Sequence, residues 1–124
     1  MKVVLHSEED LEFTEFDTPG LELEAEDSGA QFSALQMFAT SLAMCTFSIL
    51  MAYAERAGAD PASLTMRLRW SYGEDPMRIA HMDMDIHWPD LPESRLRAAE
   101  RVAARCTLHN TLEHPPEVVT RVSS

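Results

Sequence analysis

The most distinctive pattern in the chain is an uncharged, largely apolar segment from Phe32 to Ala57. No charged side chain occurs between residues 28 and 54, although 25% of all residues are charged. Ser33 and Gln36 have the spacing of a helix capping box, and Gly58 is typical of a helix end. Because the apolar residues fall on every side, the pattern predicts one long helix that is buried all round.

Two environments can bury such a helix. A membrane span needs roughly 20 apolar residues, but Gln36, Thr40 and Ser48 interrupt this run and the preceding flank is acidic rather than basic. We therefore predict no membrane insertion. A chain of 124 residues has limited means to enclose the helix by itself. We expect a second copy of the chain to cover it in an obligate homodimer.

Alternating apolar and polar residues predict strands on both sides of the helix. Before it we expect three short antiparallel strands, with a turn at residues 18–20 between the last two. The strand at residues 64–72 has the cleanest period of two, and residues 78–88 return beside it as a hairpin. If the apolar faces of these two strands both point inward, Arg67 lies opposite Asp83. The N-terminal strands are predicted at residues 2–6, 11–16 and 21–25.

The last quarter of the chain predicts a second helix and a final strand. Asp90 and Glu93 have capping-box spacing before a helix over residues 91–108, with Cys106 facing inward near its end. A break at Pro115 precedes a strand over residues 117–122. The predicted order is βββ-α-ββ-α-β, which indicates a single α+β domain over residues 1–124.

Charge and cysteine content limit the classes of function that are open to the protein. The net charge is −11, and residues 1–32 contain ten acidic side chains and Lys2 as the one base, which makes nucleic acid and anionic membranes poor partners. The acidic residues soon after Met1 leave no room for an apolar leader, so we expect a cytoplasmic protein. Two cysteines in a reducing compartment are free thiols or act together chemically.

Cys45 lies on the long helix and Cys106 on the second, with a hairpin between them. This arrangement resembles the OsmC/Ohr family, in which a long helix carries one cysteine and a late segment carries the other. The matching segments are residues 33–37, which lead to Cys45, and residues 105–112, which contain Cys106. The resemblance implies an intertwined homodimer in which six-stranded sheets surround two crossing helices, with a site at each end of the interface.

The resemblance also implies an activity, the thiol-dependent reduction of organic hydroperoxides. Cys45 would attack the peroxide, Cys106 would condense with the resulting sulfenic acid, and a dithiol reductant would restore both. The family's peroxidases use an N-terminal arginine to stabilise the thiolate and a glutamate to hold that arginine. Residues 1–55 contain no arginine, and Leu35 or Gln36 takes the glutamate's place. We therefore expect weak activity, or a non-catalytic dimer that binds a small apolar or thiol-reactive molecule at its interface.

Local sequence leaves the chemistry of both cysteines open. Cys45 lies far from its helix start among apolar residues, which favours an inert core thiol. Arg105, His109 or another arginine of the second helix, brought close by the fold or by the partner subunit, could activate Cys45. Arg105 and His109 are also close to Cys106 in sequence, but Cys106 equally suits a small buried residue.

One strand face, with His81, Asp83, Asp85 and His87, has the residue types of a zinc site. Its spacing fits a solvated face beside Arg67 better. We predict no metal and no cofactor.

Overall fold

A computed structural model describes residues 1–124 and shows an α+β fold with one mixed five-stranded sheet. The strand order is β3-β1-β2-β4-β5. The elements, in chain order, are β1 (Lys2–Ser7), β2 (Asp10–Thr14), β3 (Glu22–Ala25), α1 (Ala34–Ala57), β4 (Thr65–Gly73), β5 (Arg78–His87), α2 (Leu96–Ala103) and α3 (Thr107–Glu113). Short 3₁₀ turns at Pro61–Ser63 and Glu93–Arg95 precede β4 and α2.

The N-terminal strands follow the prediction in part. β1 and β2 form the expected antiparallel pair, in which Val3 faces Phe13 and Leu5 faces Leu11. β3 instead runs parallel to β1 on its other side, so the expected antiparallel pairing of the second and third strands is wrong. The ammonium group of Met1 donates hydrogen bonds to the carbonyl oxygens of Thr18 and Gly20, at 2.6 and 2.8 Å. These bonds hold the connecting segment across the start of β1 and place β3 on the far edge.

The β4–β5 hairpin is confirmed, but its register differs from the expected one. A bulge at residues 71–72 shifts the pairing, so that Arg67 faces Asp85 and Arg69 faces Asp83. The expected pairing of Arg67 with Asp83 is therefore wrong. The guanidinium of Arg67 turns to β2 instead, where it donates two hydrogen bonds of 2.8 Å to the Asp10 carboxylate.

The start and end of α1 agree with its predicted caps. The Ser33 backbone N–H donates to Gln36 Oε1 at 2.9 Å, and Gly58 has the left-handed conformation with φ of 66°. One side of α1 packs on the sheet and α2, but Met37, Met44 and Met51 on the other side are more than half exposed. A single chain therefore does not bury α1 all round. By length and composition α1 resembles a membrane span, yet 50% of its most apolar 18-residue stretch is buried in the protein.

The C-terminal region departs most from the prediction. The expected helix over residues 91–108 is two helices, α2 and α3, separated by residues 104–106. The Asp90–Glu93 capping box does not form, because the Asp90 carboxylate accepts a hydrogen bond from the Asp60 N–H and the chain turns at residues 93–95 before α2. The final strand over residues 117–122 is also wrong. This segment pairs with no strand of the sheet and exposes Val118, Val119 and Val122, so the sheet has five strands and not the six expected from the resemblance.

Candidate functional site

Cys106 lies at the break between α2 and α3. Its backbone is extended, with φ of −63° and ψ of 149°, and it is the N-cap residue of α3. The sulfur accepts a hydrogen bond of 3.3 Å from the His109 backbone N–H, and only 2% of the residue is exposed. Cys106 therefore faces the interior, as expected, but from a helix start rather than a helix end.

Cys45 lies near the middle of α1 and is half-buried. The next residue, Thr46, is 1% exposed, and its hydroxyl donates to Cys106 Sγ at 3.7 Å. Cys45 lies close enough to Cys106 to raise the pKa of the Cys106 thiol, and both cysteines are free thiols. The fold thus brings the two predicted cysteines together, one on α1 and one at the start of α3.

The surroundings of Cys106 raise the pKa of its thiol above the ordinary value of 9.0. Burial is the largest cause, because an apolar interior disfavours the thiolate. The His109 N–H and the Thr46 hydroxyl act in the opposite direction, while Cys45 adds to the increase. Cys106 is consequently a protonated thiol at neutral pH, whereas Cys45 is the more accessible of the two sulfurs.

The side chains of Arg105 and His109, which were predicted to activate the cysteines, have other surroundings in the structure. The imidazole of His109 pairs with the Glu113 carboxylate at 3.1 Å, so His109 reaches Cys106 only through its backbone. Arg105 lines a separate cavity with other arginines, and no arginine is among the main influences on the pKa of Cys106. The expectation that Arg105 or the His109 ring acts on Cys106 is therefore wrong.

An apolar groove runs along the N-terminal half of α1. A cavity of about 240 Å³ lies between α1, the β4–β5 hairpin and α3, and it contains His109 and Glu113. A second cavity of about 610 Å³ extends it towards the start of α1 and shares Met82 and Leu112 with the first. Leu42 lies in the groove one helical turn before Cys45, and neither cysteine lines either cavity. The groove provides space for an organic molecule.

The polar face of β5 forms ion pairs. His81 Nε2 lies 3.1 Å from Asp83 Oδ1, and Asp85 binds Arg69. No three His, Cys, Asp or Glu side chains cluster in the way that metal coordination requires. His81, Asp83, Asp85 and His87 are all exposed along this face of β5.

Sequence reasoning missed the role of Thr46. In the sequence it is one of several polar residues that interrupt the apolar run of α1. In the structure it is the polar side chain of α1 that reaches Cys106. Its position next to Cys45 was the available signal, because residues adjacent on a helix point about 100° apart and can flank one site from two directions.

Comparison with known proteins found a match to a family model and a similarity to a solved structure. A family model described as OsmC-like protein matches residues 25–121. A crystal structure from Psychrobacter arcticus 273-4, of a proposed osmotic stress induced and detoxification response protein, has a TM-score of 0.60 and 20% sequence identity. The similarity covers 88% of this chain and 84% of that chain, and it shows a shared fold. No curated protein matches the chain. The predicted family resemblance and OsmC-like α+β fold are confirmed.

Proposed function

The chain belongs to the OsmC-like protein family, and from that premise we propose that it is a thiol-dependent reductase of organic hydroperoxides. Cys45 is the peroxidatic thiol and Cys106 the resolving thiol. The observation that supports this most is the proximity of the two cysteines: Thr46, the neighbour of Cys45, donates to Cys106 Sγ, and Cys45 raises the pKa of the Cys106 thiol. A sulfenic acid formed on one sulfur needs a second thiol within reach to become a disulfide.

The proposed cycle has three steps. The Cys45 thiolate attacks the outer oxygen of the hydroperoxide, the O–O bond breaks, and the alcohol leaves with a proton while Cys45 becomes a sulfenic acid. The Cys106 thiol attacks that sulfur, forming the disulfide and releasing water. A dithiol reductant then reduces the disulfide by exchange and is itself oxidised.

The environments of the two sulfurs suit these different roles. Cys45 is half-buried and lies one helical turn from Leu42 of the apolar groove, which we propose as the place where the organic substituent of a hydroperoxide binds. Cys106 is buried and its pKa is raised, so it is protected from direct oxidation until Cys45 has reacted. Residues 1–55 contain no arginine, so the N-terminal arginine that the family's peroxidases use is absent, which supports a low rate of peroxide attack.

We further propose a homodimer formed through the exposed side of α1. Met37, Met44 and Met51 recur at heptad spacing on this side, and Ser41 and Ser48 occupy the positions between them. The two serine hydroxyls donate to the carbonyl oxygens of Met37 and Met44, at 2.9 and 3.0 Å, so they need no partner elsewhere. Alternating large and small residues at a repeat of about 3.5 suit close packing against a second helix, here α1 of another copy.

The cellular role that fits this chemistry is detoxification in the cytoplasm. The structurally similar Psychrobacter protein is described as a stress-induced detoxification protein. Removal of organic hydroperoxides is a function of that kind. The reductase assigned to this chain would therefore serve an antioxidant response.

The direct test follows consumption of an organic hydroperoxide with a dithiol reductant. The wild type is expected to consume it faster than the dithiol alone, and Cys45→Ser is expected to abolish this excess. Cys106→Ser should still form a sulfenic acid on Cys45, detectable by a sulfenic-acid-specific reagent, but should not form the intramolecular disulfide. One equivalent of peroxide should remove two titratable thiols per wild-type chain. If the thiol titre stays unchanged, the cysteines are structural.

A second function is favoured by the raised pKa of Cys106 and by the apolar groove. In this alternative the protein is a non-catalytic dimer that binds a small apolar or thiol-reactive molecule. It predicts no peroxide consumption, together with saturable binding of an apolar fluorescent probe. Leu112→Trp, which fills the part of the groove common to both cavities, should weaken that binding.

A further inference from the structure

We propose that the protein has a second site, separate from the thiols, that binds a compact oxyanion with two negative charges. The site is a cavity of about 260 Å³ between the C-terminal part of α1 and α2. Four arginines and Tyr53 form it. This proposal does not depend on the peroxidase activity.

The four arginines come from two elements that pack against each other. Arg56 lies in the last turn of α1 and Arg95 immediately precedes α2. Arg101 lies in the last turn of α2, and Arg105 lies two residues beyond its end. All four line the cavity. The packing of α2 on α1 therefore gathers charges that are far apart in sequence into one place.

The positive charge of this cavity contrasts with the negative net charge of the protein. The chain has ten basic residues against 21 acidic ones, yet four of the ten meet here. None of the four takes part in an ion pair, because all seven ion pairs of the protein involve other side chains. Four guanidinium groups in one cavity repel one another, and a bound anion would relieve that repulsion.

Tyr53 provides a second, independent indication of a ligand. The residue lines the cavity and is only 6% exposed, but its hydroxyl is buried without a hydrogen-bond partner. It is the one buried side-chain polar atom in the protein without a partner. The guanidinium carbon of Arg56 lies 5.7 Å from the centre of the Tyr53 ring. An unpaired buried hydroxyl is costly. The hydroxyl lies beneath the cavity surface, so we infer that neighbouring side chains shift when a ligand binds and let a ligand oxygen reach it.

These donors determine the class of ligand. Guanidinium groups bind carboxylate and phosphate oxygens through paired hydrogen bonds, and a phenol adds a neutral donor. Several fixed positive charges favour a dianion over a monoanion. The cavity is too small for a large molecule, so the ligand is a phosphate group or a short dicarboxylate, or the head of a molecule that carries one.

The test titrates the purified full-length protein with inorganic phosphate and, separately, with malonate, at constant ionic strength adjusted with sodium chloride. Calorimetry should show saturable binding at one site per chain, and the anion should raise the melting temperature. Arg101→Gln and Arg105→Gln are each expected to weaken binding by roughly tenfold or more, since hydrogen bonds to charged groups are among the stronger ones. The anion that binds more tightly, phosphate or malonate, identifies the chemical class of the ligand.

Matched variants separate this site from general attraction of anions. Arg97→Gln removes the same charge from α2 at a residue that does not line the cavity, and it should bind phosphate as the wild type does. Tyr53→Phe should weaken phosphate binding while the melting temperature without phosphate stays equal or rises, because an unpaired hydroxyl is removed.

Three results would overturn the proposal. The first is that neither anion saturates the protein. The second is that Arg97→Gln weakens binding as much as Arg101→Gln, or that Tyr53→Phe leaves it unchanged. The third is that Arg101→Gln, without added anion, changes the sedimentation coefficient of the protein, which would make the arginines a contact between subunits.

Discussion

The two sides of α1 differ more than any other pair of surfaces in the molecule. The inner side is closely packed: Ala39, Ala43 and Leu50 are fully buried. The outer side carries Met44 and Met51, each 52% exposed. Both sides are uncharged over most of their length, so hydrophobicity alone does not distinguish them. The residue types differ instead, with alanine and leucine inside and methionine alternating with serine outside.

This difference indicates two kinds of contact along one helix. Small residues on the inner side let α1 approach the sheet and α2 closely, and their packing stabilises the single chain. Flexible methionines suit a surface that adapts to a separate partner. The thiol pair lies between the two sides, because Cys45 is half-buried whereas its neighbour Thr46 is enclosed. Folding of the chain positions Cys106, and the proposed association of two chains determines what covers Cys45.

The largest effect is expected on the inner side. Leu50→Ala should lower the free energy of unfolding by about 2–5 kcal/mol, because it removes a fully buried side chain and leaves a cavity. Met51→Ala is the matched control, one residue further along the helix and half exposed, and it should cost less than about 1 kcal/mol under conditions where the protein is monomeric. Urea unfolding of both variants measures the two values. Equal losses would mean that the two sides of α1 contribute alike to the folded chain.

The next effect concerns association. Met44→Glu places a carboxylate at the centre of the exposed stripe, and two-fold symmetry would bring it close to its own copy. We expect the dimer dissociation constant to rise by roughly tenfold or more, since a desolvated like-charge pair costs more than 1.4 kcal/mol. Met77→Glu is the control, because Met77 is 68% exposed on the β4–β5 turn, away from α1. Analytical ultracentrifugation measures the dissociation constants of both variants. If only the Met77→Glu dimer dissociated, the interface would lie at the β4–β5 hairpin and not at α1.

The sequence predicted the parts of the fold that short-range signals define. The capping residues of α1 and the alternation of apolar and polar residues in β4 were sufficient to predict these two elements, because each signal depends on neighbours within a few residues. The break at Cys106 was missed because Arg105-Cys106-Thr107 contains neither glycine nor proline. It arises from tertiary packing, in which the buried sulfur accepts hydrogen bonds from α1 and from the next turn.

Long-range contacts account for the other differences. The parallel pairing of β3 with β1 joins segments that are about 20 residues apart in sequence, and no periodicity reveals it. The sequence predicted a strand at residues 117–122, but this segment pairs with neither open edge of the sheet, β3 or β5. The two cysteines were identified from the family pattern, whereas the connecting Thr46 hydroxyl and the arginine cavity required coordinates.

A further prediction concerns pH. Burial raises the pKa of Cys106 above 9.0 in the folded chain, whereas an unfolded cysteine titrates near about 8.5. The folded state therefore holds this proton more tightly, so the stabilisation is present below the unfolded pKa and is lost as the pH rises through the folded pKa. In a Cys45→Ala variant, alkylation of native Cys106 by iodoacetamide should remain slow until the pH exceeds 9.0, the ordinary value. Rapid alkylation at neutral pH would show that the thiol is activated.

The smallest expected effect compares two hydroxyls on opposite sides of α1. Thr46→Val keeps the shape of the inner side chain but removes the donor to Cys106 Sγ. It should cost at most about 1 kcal/mol of unfolding free energy, because sulfur is a weak acceptor. It should also slow alkylation of Cys106 at a given pH, since the Thr46 hydroxyl lowers the pKa of that thiol.

Ser48→Ala is the control for that comparison, because its hydroxyl bonds to the helix's own Met44 carbonyl oxygen on the outer side. The change should leave both stability and alkylation of Cys106 near the wild-type values, since alanine is the better helix former and the lost bond involves no other element. If Ser48→Ala slowed the alkylation as much as Thr46→Val, the inner and outer sides of α1 would be coupled through the helix. The distinct roles assigned to those two sides would then have to be abandoned.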